Sequence, residues 1–547
     1  LVVLPIAGMF SILLAFIFFT IAYTTDKNNS SSAFHKLLVT ITASIAFVLV
    51  GSGLLSGDNS VATYQSLGSI GEHMGSFFGS IALVVIAAVI ASSAIDERAK
   101  PVTYLIISLL VGGLLWPLLQ RWTSASGWLA QLGFRDTSGL GTVHLTMGVV
   151  AGVSAWIVGP RLGKYNHNRV QALPSQSLFL ASIGVVFAWL GWGLLALMIL
   201  WSDTLANAEQ LGRLVYNFFL IPSISFISTS SCCYFYFKRF DMSLIYNGLL
   251  MGIVVASTVG SELSLFGAVG GGLLSGALVV YVISWIDKKL KIDDPIGLIT
   301  VHGVGGLLAL GLTALFPEGG WSAGFLQLFN QLLTSFILMG IAAVAAVLIL
   351  KVIDIMMGLR VSEEEESFGL DSSIYRLPNR YGSLSTINVG KVPKKVALNS
   401  SGSKAVDKVQ LELDVKDLAH ANPVPEIAPI RRFEILTSPD RLERLTQELN
   451  EIGVSGLNVA NVTGFGVQKG HKSFYRGIEV ESHFLPKIKL ETIVSTISTE
   501  VMLQAIQRAL YTGHIGDGKI FISSIQDVVR VSTGATGKDA LIYVQED

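Results

Sequence analysis

The chain has 547 residues, of which 51% are hydrophobic and only 14% charged, with a mean hydropathy of +0.59. That is too apolar for an ordinary soluble protein, so most of the chain belongs in a lipid bilayer. Its 38 basic and 39 acidic residues leave a formal net charge of −1, which provides no global basic surface and excludes nucleic acid from the expected partners.

Charge is sparse before residue 350 and frequent beyond Arg360, so a membrane domain precedes a soluble one. The chain opens on Leu1 rather than Met, which leaves room for a preceding segment such as a processed signal peptide. A spanning helix needs about 20 mostly apolar residues. Runs of that kind lie near 2–24, 36–56, 77–95, 101–119, 140–160, 176–200, 213–235, 243–260, 264–286, 298–316 and 325–355, which predicts eleven spans. Lys27, Lys36, Arg98, Lys100, Arg161, Lys164, Arg169, Lys238, Arg239, Lys288, Lys289 and Lys291 fall in alternate loops. The positive-inside rule then places those loops in the cytoplasm, the N-terminus outside and everything after the eleventh span inside. A cell (plasma) membrane is the expected location. Cys232 and Cys233, adjacent inside an apolar run, read as packing groups rather than as a disulfide or metal site.

Two of the runs carry the same fragment. Thr142-Val143-His144 is followed by Gly148 and Thr300-Val301-His302 by Gly306, at identical spacing. A histidine in hydrocarbon is costly and marks a functional position. One such residue reads as a hydrogen-bonded core group, but the repetition weakens that reading. With His144 on the fifth span and His302 on the tenth, the pattern predicts an inverted repeat of five helices closed by an eleventh, with the substrate path at the repeat interface.

Residues 372–428 turn polar and Pro-punctuated and read as a linker with one short strand at Val409–Val415. From residue 429 the pattern is soluble α/β. Strands are expected at 430–437, 456–465, 487–493 and 519–524, and helices at 440–452 and 500–511, a doubled β-α-β order of ferredoxin-like type. The loop from Gln468 to His483 reads as too long and polar for a packed hairpin.

The stretch Ile90 to Arg98, the run Gly127 to Asp136, both Thr-Val-His fragments, Asp293-Asp294-Pro295 and the run Gly358 to Asp371 together resemble the ammonium transporter (Amt/Rh) family. The likeness covers residues 77–371 well and the first two helices poorly. It implies a membrane domain over 1–371, a homotrimer with one pore per protomer, and His144 and His302 lining a narrow apolar conduit. Such a conduit disfavours a charged ion, whereas neutral ammonia loses far less hydration. Paired imidazoles can pass the ammonium proton between ring nitrogens; potassium has no proton to give up. Asp136 matches the family's buried aspartate near the outer vestibule, where a purely capping carboxylate is the alternative. The family's cation-gathering cage of a tryptophan, phenylalanines and a serine falls on Leu83, Ser124, Leu195 and Ile199 here, so its aromatics are missing. A pore of this kind conducts at higher substrate concentration, or it serves as an ammonium receptor with little flux.

In the soluble part, Gly464 to His471, Tyr475-Arg476-Gly477, Phe484 to Lys487, Thr512 to Phe521 and Val529 to Gly534 resemble the PII nitrogen-signalling family over 430–540, giving a PII-like domain at 429–547. The resemblance implies that Gly464, Gly466, Gly516, Asp517 and Gly518, with Lys519 and Arg530, cradle the phosphates of ATP or ADP. Gln468, through Mg²⁺, and Lys487 would hold Mg-ATP together with 2-oxoglutarate. Val467 and Ser532 stand where the family has arginines, which thins the phosphate charge, and Val480 replaces the tyrosine that is uridylylated. Tyr475 and Arg476 sit at the tip of the long loop, whose matching arginine plugs the cytoplasmic pore mouth in family complexes. The expected protein is an Amt-type ammonium channel gated by its own nucleotide sensor, with a downstream signalling protein as a further partner. No activated nucleophile or paired carboxylates argue for the third class, a nucleotide-hydrolysing enzyme.

Overall fold

The computed structural model describes residues 3–56, 74–166, 169–171, 173, 177–202, 207–318, 324–377, 430–438, 441–454, 456–465, 472–475, 478–481, 484–511 and 517–541. The linker and its expected strand at Val409–Val415 lie outside them. A helical membrane domain and an α/β domain are each described by itself.

In hydrocarbon every backbone N–H and C=O needs an internal partner, which leaves helices as the economical solution for long apolar runs. The spans are α1 (Val3–Tyr23), α2 (Asn29–Ala46), α3 (Met74–Ser93), α4 (Pro101–Leu110), α5 (Leu140–Val158), α6 (Leu178–Ser202), α7 (Ala208–Phe237), α8 (Met242–Val259), α9 (Leu265–Trp285), α10 (Gly305–Leu315) and α11 (Gly324–Met357). Helices α2 and α4 continue through π-turns at Phe47–Gly51 and Val111–Leu115 into Ser52–Ser56 and Trp116–Thr123. Among the described residues ten helices are long and apolar enough to cross a membrane. The tenth run expected from sequence is a shorter apolar helix, Ile299–Leu315, whose first turns, Ile299–Val304, are π-helical. Eleven expected spans are thus ten plus this shorter one, because the chain enters it through the non-helical stretch around Asp293–Asp294–Pro295.

Packing repeats between the halves. Helix α1 lies against α6, and α5 against the π-turn and α10. In the first half α2 packs on α3 and α4, and α3 on α5; in the second, α7 packs on α8 and α9, and α8 on α10. Five helices per half is an odd number, so the second copy runs inverted, as the repeated fragment predicts.

Several residues counted above as loop charges are interior. Lys36 is 0% exposed and donates to both carboxylate oxygens of Asp96 at 2.9 and 2.7 Å. Arg161 bridges Glu97 and Asp293 at 2.5 and 2.8 Å, and Lys164 pairs with Asp287 at 2.9 Å. A buried charge needs a hydrogen-bonded counter-charge, so these side chains tie helix ends together rather than meet lipid headgroups. The segment after α11 closes the same end: Arg360 donates to Val158 O, Pro160 O and Glu366, and Asp371 accepts from the N–H groups of Ser30 and Ser31.

The α/β domain has strands β1 (Ile430–Thr437), β2 (Asn458–Phe465), β3 (Lys472–Tyr475), β4 (Ile478–Glu481), β5 (Phe484–Val494) and β6 (Lys519–Ile525). Its helices are α12 (Leu442–Glu451) and α13 (Thr499–Leu510). The main sheet is antiparallel in the order β2-β5-β1-β6, the βαββαβ arrangement expected. Phe433 and Ile435 alternate inward along β1 and meet Leu445, Leu449, Leu490, Met502 and Ile506, all at most 1% exposed. Between β2 and β5 the sequence reading is corrected. Strands β3 and β4 pair in a two-stranded sheet, because the β-favouring Phe474 and Tyr475 stand only two residues from the alternating Ile478–Glu481, a spacing short enough for a hairpin within the long loop.

Candidate functional site

The two copies of the repeated fragment meet face to face. An added Cβ on Gly148 would stand 2.2 Å from Gly303 N, and one on Gly306 would stand 2.7 Å from Leu145 N and 3.1 Å from His144 Cβ. Only glycine lets α5 and the π-turn approach this closely, and each glycine lies one turn past its own histidine against the backbone beside the other. The result is an Nδ1 to Nδ1 hydrogen bond of 2.9 Å between His144 and His302, with rings 5.0 Å apart and 19° from parallel. One ring donates and the other accepts, so the two imidazoles hold opposite tautomers.

Both residues are buried, at 0% and 5% exposure. The Trp192 ring meets His144 edge-on at 4.5 Å, and Phe16 stacks on His302 at 6.1 Å. Among the described residues His144 Nε2 has no hydrogen-bond partner. Beside His302 lies a cavity of about 20 Å³ walled by apolar groups that include Phe16, Phe19, Trp192, Leu250, Val254 and Leu298, with no charged side chain. A volume of about 10–15 Å³ suffices for one water-sized molecule. The space therefore admits a single small guest and gives a cation nothing but imidazole to replace its hydration.

Asp136 sits at the N-terminal end of α5. It accepts from Thr142 N at 2.6 Å, Thr142 Oγ1 at 2.8 Å, Ser138 Oγ at 3.1 Å and Gly141 N at 3.2 Å. Burial raises its carboxyl above the ordinary range, and the hydrogen bonds from Thr142, Ser138 and Gly141 offset part of that rise. The carboxylate thus caps the helix that carries His144. It also lines a wide polar cavity of about 880 Å³, with Arg135, Arg213, Glu262 and Glu318 around it.

Of the four cage positions only Ser124 lines that cavity, its hydroxyl donating to Arg121 O at 2.7 Å. Leu83 and Leu195 are 8% and 0% exposed. Leu195 packs its Cγ 3.0 Å from where a Cβ on Gly8 would stand, and Ile199 lies one turn further along α6, half-buried.

In the α/β domain, four sequence-chosen residues gather at the C-terminal end of β1. Lys519 pairs in register with Leu436, and Gly518, with φ +129°, lies where a Cβ would stand 2.5 Å from Leu436 O. Asp517 accepts from Arg441 at 3.0 Å, and Lys487 Nζ reaches Ser438 Oγ at 3.3 Å. Arg530 donates to Ala540 O at 3.0 Å. Gly464 lies in β2 opposite Leu485, and Tyr475 ends β3. Gly466, Gln468 with its Mg²⁺ role, Arg476 and Gly516 lie outside the described residues.

Sequence reasoning missed Trp192, Phe16 and Arg441 as site residues. Trp192 is one of three indoles on α6, with Trp189 and Trp201, and Phe16 is one of several aromatics on α1, so neither carried a signal of its own.

A family profile described as Ammonium Transporter Family matches residues 1–379, and one described as Nitrogen regulatory protein P-II matches residues 430–535. Ammonium transporter Amt1 of Methanocaldococcus jannaschii is 30% identical over 371 residues, covering 66% of this chain and 90% of that protein. Nitrogen regulatory protein P-II of Rhizobium meliloti is 42% identical over 112 residues, 20% of this chain and all of that one. A solved structure described as a Sensor Amt Protein aligns with a TM-score of 0.59 at 25% identity, covering 67% of this chain and 96% of its own.

Proposed function

The chain belongs to the ammonium transporter family and carries a PII-type domain behind it, and from that premise we propose that it conducts ammonium through the His144–His302 conduit under control of its own PII domain. The observation that carries the reading is the buried Nδ1 to Nδ1 contact beside an uncharged cavity. A proton taken up at one outer Nε2 passes across the shared Nδ1 contact and leaves at the other Nε2, while ammonia follows the apolar wall. Potassium has no proton to give and is held back by desolvation.

The working assembly is a homotrimer in the cell membrane with the PII domain cytoplasmic. Lys487, Asp517, Gly518 and Lys519 at one end of β1 suit an anionic ligand: two ammonium groups and a glycine N–H that nothing bulkier could expose. ATP or ADP would bind there, with Gln468 and Lys487 adding Mg²⁺ and 2-oxoglutarate. In the liganded state the loop bearing Tyr475 and Arg476 folds back; without 2-oxoglutarate it extends and Arg476 closes the pore. The ligand shifts this balance only through its differential affinity for the two loop states.

Ammonium-elicited current in proteoliposomes tests conduction. His144→Ala with His302→Ala is expected to abolish or change ammonium selectivity while the oligomer stays intact; wild-type selectivity in the double variant refutes the relay. Arg476→Ala is expected to conduct alike with and without 2-oxoglutarate, whereas wild type responds. If wild type is equally indifferent, the PII domain reports outward to a signalling partner.

A second reading, an ammonium receptor with little flux, draws on the apolar, buried Leu83 and Leu195 at the recruitment positions and on the likeness to a protein described as a sensor. Ammonium-induced changes in the PII domain without measurable current would favour it.

A further inference from the structure

At the end of α5 opposite Asp136, the stretch from Asp294 to Thr300 separates two cavities. Ile296, Leu298, Val301 and His302 face the apolar conduit, whereas Asp294, Gly297 and Thr300, three residues apart, wall a second chamber of about 10 Å³, close to the room one water-sized molecule requires. Two buried acceptors have no partner among the described residues: Thr300 Oγ1, on the chamber wall, and Asn247 Oδ1, behind Gly297 of that wall, each on a residue 1% exposed. Asn247 Nδ2 donates to Ser243 O at 2.9 Å, which turns Oδ1 towards Gly297, 2.5 Å from where a Cβ there would stand. Asn247 also precedes Leu250 and Val254 on one face of α8, the face whose later residues line the conduit.

Buried acceptors left unpaired are costly, and two of them beside a small cavity call for a guest rich in N–H or O–H donors. The lining charges, Asp287, Asp293 and Asp294 against Arg161 and Lys164, are negative in sum and favour a guest that carries positive charge. We propose that Thr300 and Asn247 form an inner ammonium-binding site, where the translocated molecule regains hydrogen-bond acceptors as it leaves the apolar conduit. The site rests on the conduction reading above. It supplies at the inner end what the aromatic-poor outer end lacks, namely protein groups that replace hydration.

Thr300→Val removes the hydroxyl at nearly constant shape. In the full chain reconstituted in proteoliposomes, its maximal ammonium current is expected to fall roughly fivefold, the weight of one ordinary hydrogen bond. The half-saturating concentration and the thermal midpoint should not move, and Thr300→Ser should keep the wild-type current. A wild-type maximal current in Thr300→Val overturns the site. So does a Thr300→Ser protein that loses as much as Thr300→Val, since packing would then be the cause. If wild-type protein carries no ammonium current, conduction and inner site fall together; if wild type conducts and Thr300→Val matches it, only the inner site falls.

Discussion

Substituting Gly148 with alanine tests whether helix contact creates the histidine pair. The new methyl would stand 2.2 Å from Gly303 N and 2.5 Å from Gly303 Cα, both backbone atoms that cannot swing aside. Non-bonded carbon contacts settle near 3.5–4.0 Å, so α5 and the π-turn must part by roughly 1.3 Å or more. The Nδ1 to Nδ1 distance of 2.9 Å then opens to about 4 Å, beyond hydrogen-bond range. Overpacking of this kind costs about 1–3 kcal/mol, a lowered thermal midpoint rather than an unfolded protein. Expected in proteoliposomes is a loss of ammonium current or of its selectivity over potassium. Gly152→Ala is the matched control, because its Cβ would meet Ile299 Cγ1 at 3.4 Å, an ordinary contact. Wild-type current and selectivity in Gly148→Ala, with the substitution confirmed, would show that the close approach is not what makes the path.

Asp136→Ala removes the acceptor of four hydrogen bonds at the start of α5, and a bond to a charged group is worth about 1.5–3 kcal/mol. Thermal unfolding should show a clear drop, with Asp136→Asn intermediate; an unshifted midpoint argues against the cap. Burial alone would raise the carboxyls of Asp293 and Glu97, but Arg161 leads the interactions that override it, and both are held below the ordinary range. A depressed folded value stabilises above the unfolded value and loses that contribution as pH falls through the folded one. Stability from this cluster should therefore be full above about pH 4.5 and drain away in more acid solution; Asp293→Asn should flatten that acid limb, and an unchanged limb would assign the effect elsewhere. Gly518→Ala would press a methyl against Leu436 O and force a non-glycine side chain to φ +129°, so ATP or ADP affinity of the full chain measured by calorimetry should fall at least tenfold. Equal affinity would mean that the turn does not hold the nucleotide.

Much of this protein was legible because its strongest signals are local. Apolar runs set the spans, the period-two alternation of Phe433 and Ile435 set β1, and the loop motifs set the soluble domain. What was not legible is long-range or arises from pairing. Lys36 reads as a loop charge until Asp96, sixty residues on, is seen to hold it. The π-turn at Ile299–Val304 leaves no mark in composition, since its residues are as apolar as those of a regular helix. The β3–β4 hairpin was obscured by polar residues that satisfy a strand pair as well as they satisfy solvent. Phe16 reaches His302 through the packing of α1 beside α6, a contact between residues 286 positions apart that no local pattern announces.

The repeated fragment does more than mark two histidines. In an inverted repeat the two copies meet about a two-fold relation, so a contact made by one copy is made again by the other. A histidine with a glycine one turn later is self-complementary under that operation: the glycine of each copy leaves room for the backbone beside the histidine of its mate. One duplicated fragment is therefore enough to bring Nδ1 to Nδ1 and to leave an Nε2 at either end. Asymmetry enters where the second copy is wound as a π-turn and the first as an α-helix. His144 then meets the edge of Trp192 with its Nε2 unpaired, while His302 borders the apolar cavity. In the relay proposed above, these two unlike ends would give the proton different surroundings on arrival and departure, while the ammonium gradient would set the direction of net flow.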